Sequence, residues 1–157
     1  MLPGTPGGGQ AQSAGIGISP KEASVKARAT GTFEVKVTPL TADPQEDTGG
    51  FGRLSLYKHF SGGLEGTSRG QMIGAETAVE GSGAYVAMER FTGTLDGRKG
   101  SFILQHNGTM ARGAYDLQVT VVPDSGAGDL VGFAGTMKII IEGGKHSYEF
   151  DYTRQDE

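Results

Sequence analysis

Short runs in which apolar and polar residues alternate, each ended by a cluster of Gly, Asp, Ser or Pro, restrict this chain more than any other feature. The clearest run is His146–Thr153. His146, Tyr148, Phe150 and Tyr152 share one parity, and Ser147, Glu149, Asp151 and Thr153 the other. A helix would scatter these residues around its axis, whereas a strand sends successive side chains to opposite faces. The same texture begins at Ala29, where Phe33, Val35 and Val37 alternate with Thr32, Glu34 and Lys36. Eight runs follow from this reading: Ala29–Pro39, Phe51–Phe60, Leu64–Ala75, Ala84–Leu95, Ser101–Met110, Tyr115–Val122, Leu130–Glu142 and His146–Thr153. Asp96-Gly97 and Gly143-Gly144 are tight-hairpin signals, and Pro123-Asp124-Ser125-Gly126 makes another turn.

Short connections and the lack of an amphipathic helix predict an antiparallel meander, which at this size must close on itself or split into two sheets. Glycines inside the strands (Gly66, Gly70, Gly74, Gly93, Gly108, Gly135) favour closure, because they let a strand coil at a barrel corner and weaken a flat sheet. The expected fold is all-β: a closed eight-stranded antiparallel barrel over residues 24–157, behind a disordered N-terminal tail over residues 1–23. The tail is Gly, Pro, Gln, Ser and Ala, with too little apolar surface to offset its ordering entropy.

Composition removes whole classes of function. At 157 residues the chain has one domain's worth of core. With 14 Lys and Arg against 18 Asp and Glu it is mildly acidic, so no nucleic-acid partner and no anionic membrane is expected. No run approaches the ~18 apolar residues of a membrane span. The start, MLPGTPGGGQAQSAG, has neither the basic nor the apolar region of an export signal, and the expected location is the cytoplasm. Cysteine is absent, which excludes disulfides, thiolate metal sites and cysteine nucleophiles.

Several motif-like strings fail on context. Gly126-Ala127-Gly128 has its third glycine one residue late for a dinucleotide loop, and a strand follows where a helix should start. Asp124 and Asp129 flank a turn but lack the ligand spacing of a calcium loop. Asn107-Gly108-Thr109 has the glycosylation pattern but lies inside a strand. His59, His106 and His146 are isolated in separate strands, so neither a metal nor a cofactor is expected.

The most informative constellation lies in the fourth and fifth runs. Tyr85, Ala87, Glu89 and Phe91 share one face, and Phe102, Leu104, His106 and Met110 share one face of the hairpin partner. If both faces point inward, a carboxylate and an imidazole sit among aromatics. Burial would raise the carboxyl pKa and the imidazole could pair with it, which is how a general acid or base is tuned. The plainer alternative is that Glu89 pairs with a cross-strand Lys or Arg, or that the polar ends reach solvent. Glu65, with Thr67 and Arg69 on its face, is a weaker candidate of the same kind.

Four strings, LEGTSRGQM (Leu64–Met72), YVAMERFTGTLDGRKGSFILQHNGTM (Tyr85–Met110), VTVVPDSGAGDLVGFAG (Val119–Gly135) and HSYEFDYT (His146–Thr153), resemble a bacterial family of domains of unknown function. That family looks like the allene-oxide-cyclase, or calycin-like, type of β-barrel. The resemblance implies an apolar cavity that holds a flexible ligand in a folded shape, and it transfers no catalytic residue. Three functions then stand side by side. The first is a barrel that binds a small apolar ligand and cyclises or isomerises it by preorganisation. Glu89 and His106 would be catalytic there, and Tyr85, Phe91, Phe102, Leu104, Tyr148 and Phe150 would contact the ligand. The second is a non-catalytic carrier with the same cavity. The third is a filled barrel whose outer set, Val86, Met88, Ile103 and Ile140, meets a partner or a second copy.

Overall fold

The computed structural model describes residues 24–155, and the expected tail over residues 1–23 lies outside them. Among the described residues nine strands form: β1 Ser24–Pro39, β2 Gly52–Gly62, β3 Leu64–Glu76, β4 Gly83–Leu95, β5 Arg98–Ala111, β6 Ala114–Val121, the two-residue β7 Ala127–Gly128, β8 Ala134–Glu142 and β9 Lys145–Gln155. Eight of them close a ring in the order β1-β2-β3-β4-β5-β6-β8-β9, with β9 pairing back onto β1 and every pairing antiparallel. The short β7 lies against Gly100 and Ser101 of β5. The predicted closed barrel is what forms.

Closure depends on local chemistry at the corners. Gly66 and Gly93 face each other across β3 and β4 with φ of 152° and 157°. A Cβ at either position would meet the opposite carbonyl, Thr92 O at 2.3 Å and Glu65 O at 2.1 Å, so glycine is required on both strands. One expectation needs correcting. The run from Leu130 does not start as a strand; Leu130–Phe133 folds as turns, with Leu130 N–H bonded to Ala127 O and Phe133 N–H to Leu130 O. The glycines at 126, 128 and 132 favour turning over ladder formation. Leu130 and Phe133 thereby drop into one end of the barrel as an apolar plug.

That plugged end is a dry aromatic core. Phe60, Leu64, Phe91, Leu95, Phe102 and Phe150 are at most 1% exposed. The rings pack closely, Phe91 tilted against Phe102 at 5.1 Å and Phe102 stacked on Phe150 at 5.6 Å. Tyr148 ties this core to the β2–β3 turn: its hydroxyl accepts from Leu64 N–H at 2.9 Å and donates to Ser61 O at 3.0 Å. Tyr148→Phe strands a buried backbone donor and is expected to cost about 1–3 kcal/mol, read from chemical denaturation. An unchanged midpoint would show that Leu64 N–H finds another partner.

Candidate functional site

Parity decides what reaches the lumen. The face of β4 carrying Phe91 into the aromatic core also carries Glu89, Ala87 and Tyr85 inward, and the Phe102 face of β5 carries Leu104 and His106. Both candidate polar residues are buried, Glu89 at 1% and His106 at 3% exposure. Two further buried polar residues join them, Lys58 from β2 and Ser68 from β3. Sequence reading passed over both. The signal was available, since Lys58 falls on the parity of Leu56 and Phe60, and Ser68 on that of Leu64.

Glu89 is the hub. Lys58 Nζ lies 2.8 Å from Glu89 Oε2, Ser68 Oγ donates to Oε1 at 2.5 Å, and His106 Nε2 abuts Oε2. On the far side of the imidazole, Nδ1 is 3.3 Å from the Tyr85 hydroxyl. Lys58 also sits over the Phe33 ring at 4.8 Å, which keeps its ammonium attracted in a place where water is scarce. The plainer expectation, a cross-strand cation on Glu89, is thus realised together with the imidazole contact.

The electrostatics reverse one expectation. Burial is the largest single influence on the Glu89 carboxyl and pushes its pKa up. The His106 hydrogen bond, the Lys58 and His106 charges and the Lys58 hydrogen bond together outweigh it and hold the group at about 2. Glu89 is therefore a carboxylate and an acceptor. In the neutral imidazole an acceptor at Nε2 calls for N–H there, which leaves Nδ1 free to accept from Tyr85. Burial, and then the Glu89 charge, raise the Tyr85 pKa, so this phenol stays protonated.

Above this cluster the barrel opens. Val37, Tyr115 and Ile141 lie on lumen parity yet are 45%, 63% and 44% exposed, so this end is a mouth rather than a second plug. One wall of the mouth is incomplete. β4 and β5 share thirteen pairs, but β6 and β8 share only Val119–Met137 and Thr120–Thr136. Beyond these the pairing stops, and a slot of about 560 Å³ lies between the strands, lined on lumen parity by Tyr115, Leu117, Val119, Met137, Ile139 and Ile141 and on outward parity by polar side chains including Asp116, Gln118 and Lys138. The remaining proposed contact residues, Phe91, Phe102, Leu104, Tyr148 and Phe150, form the floor and are packed against one another.

The outer candidates are placed as follows. Val86 and Met88 are 54% and 53% exposed on the outer wall beside Ile73, around a shallow depression of about 560 Å³, while Ile103 and Ile140 are half-buried. Glu65 faces outward and accepts from Gly62 N–H at 2.9 Å. Among the described residues no three His, Asp or Glu side chains converge as metal ligands, and no helix is long and apolar enough to cross a membrane.

Fold and interior together define a closed antiparallel barrel with an aromatic floor, an ionic belt and an open mouth. Residues 29–152 match the family model described as protein of unknown function DUF3224, and the chain belongs to that family. A crystal structure of a DUF3224-family protein of unknown function from Shewanella oneidensis MR-1 is similar, at 48% identity and a TM-score of 0.77, covering 85% of this chain and 100% of that one. No curated protein matches the chain.

Proposed function

We propose that this barrel binds a small, uncharged, largely apolar molecule in its mouth, with the ligand's hydrogen-bond acceptor on the Tyr85 hydroxyl. The observation that carries this is the pairing of a half-buried Tyr85, in contact with the buried His106–Glu89 pair, with the lumen-parity apolar side chains Val37, Tyr115 and Ile141 that remain open to solvent. The ligand is uncharged because Lys58 already neutralises Glu89, so a second charge would enter the lumen without a partner. Cyclisation or isomerisation fits the same geometry. Tyr85 turns its single O–H from His106 Nδ1 to a ligand oxygen and donates to it as negative charge develops there, while the Glu89 carboxylate holds the His106 imidazole in place beside it. A carrier role needs only the first of these steps. Kinship with the allene-oxide-cyclase and calycin-like barrels accords with an eight-stranded ring and an aromatic lumen.

Prodan, a neutral naphthalene ketone whose emission reports both polarity and hydrogen bonding at its carbonyl, tests the reading. Blue-shifted emission on binding is expected, with affinity falling about 5–10-fold in Tyr85→Phe, the loss of one hydrogen bond. Equal affinity in Tyr85→Phe, or no binding at the solubility limit of the dye, would overturn it. A second reading is favoured by Ile73, Val86 and Met88: the outer wall of β3 and β4 meets another copy. Sedimentation that gives a monomer at high concentration would remove it.

A further inference from the structure

The incomplete wall beside the site has consequences of its own. β5 stays paired with β6 down to Ala111–Ala114, and β8 with β9 down to Glu142–Lys145. Neither strand has ended where their mutual pairing stops. The two pairs they do make set a register in which Gln118 faces Lys138, Leu117 faces Ile139, Asp116 faces Ile140 and Tyr115 faces Ile141. None of these four pairs is formed. Free facing edges invite an added strand, but β6 and β8 run antiparallel to one another. A strand inserted between them would have to be parallel to one, the weaker pairing. Zipping the existing register is the arrangement that satisfies both edges.

Behind the slot lies the polar chain. Val119, in its wall, is the cross-strand partner of His106. Leu117, also in its wall, faces Tyr85 over Gly108; a Cβ on Gly108 would lie 2.5 Å from Leu117 Cδ2 and 2.7 Å from Tyr85 Cε1. One leucine side chain therefore separates the slot from the phenol.

We infer that the β6–β8 seam is a gated side doorway to the Tyr85–His106 site, open as observed and closed by zipping the four unformed pairs. This rests on the lumen site of the proposed function for its purpose, though not for its mechanics. A small neutral molecule enters edge-on past Leu117, and zipping then restores the ladder behind it.

The chain has no cysteine, so an engineered pair has no competitor. In Asp116→Cys/Ile140→Cys both side chains are on outward parity, and zipping brings their Cα atoms within disulfide range, under about 7 Å. Diethyl pyrocarbonate, a small neutral electrophile that acylates imidazole nitrogen, reports access to His106 by mass spectrometry, with exposed His59 as internal reference. The bridge is expected to form, to slow His106 modification by about tenfold or more, and to release it on reduction. A control bridge at Arg28→Cys/Asp151→Cys, across the complete β1–β9 pairing, is expected to leave the His106 rate unchanged. Failure of the 116–140 bridge to form would mean the seam does not zip. An unchanged His106 rate in the bridged protein, or equal slowing by the control, would place access elsewhere or in global unfolding. Loss of prodan binding with gating intact would sink the ligand reading and leave the doorway standing.

Discussion

Glu89→Ala is expected to destabilise the barrel by about 3–5 kcal/mol, because it leaves the Lys58 ammonium buried without its counter-charge. Lys58 is 5% exposed and His106 3%, so neither can turn to water without opening the wall. Replacing the pair together, as Lys58→Met/Glu89→Leu, should recover much of that loss, since the apolar double removes the desolvation cost along with the attraction. Denaturant melts of the two singles and the double form the cycle, and additive single losses would show that the pair is not coupled. The pH dependence has a fixed sign. The carboxyl is held at about 2, below its ordinary 4.5. Its contribution, on the order of 3 kcal/mol, is fully present above about pH 4.5 and is lost as pH falls toward about 2. Glu89→Gln should flatten that acid limb. A wild-type limb that survives the substitution would assign acid lability to other carboxylates.

Phe102→Ala is expected to cost about 3–5 kcal/mol, the range for truncating a fully buried aromatic. Phe102 is 1% exposed and lies between Phe91 and Phe150, where rigid strands on both sides limit collapse. The void left is apolar, and a dry cavity of that kind takes up small aromatic molecules. Benzene should therefore raise the melting temperature of the variant and leave the wild type unchanged. The contrast separates the two ends of the lumen. If benzene stabilised the wild type equally, the aromatic end would already hold accessible space, and the ligand would belong there rather than at the mouth. A loss well under 1 kcal/mol would mean the floor repacks freely, which a solid plug does not do.

Much of the architecture was written locally. Period-two alternation in Tyr85–Phe91 and Phe102–His106 put Glu89 and His106 on the same side as the aromatics, because a strand permits only two faces and one was apolar enough to be the core. Asp96-Gly97 announced its hairpin through the positive φ it requires, observed at 48° and 86°. The in-strand glycines announced closure, and Gly66 and Gly93 justify that inference through contacts no Cβ could survive, although Gly74 meets nothing closer than 3.7 Å and is not needed for it. The Leu130 run misled because apolar content there serves a plug built from turns, and a short apolar run with interspersed glycines reads the same either way.

The sequence alone determined a set of strands, their faces, and the parity that turned one carboxylate and one imidazole inward. Which side chains met inside the lumen belonged to the closed ring. Glu89 meets Lys58 across 31 residues of chain and Ser68 across 21, contacts that no local pattern encodes. Those neighbours reversed the direction of the Glu89 pKa, because burial favours the neutral acid only until opposite charge arrives at hydrogen-bond distance. The open β6–β8 seam was likewise invisible beforehand, since where a ladder stops is set by how the ring's twist and stagger close, a property of the whole sheet.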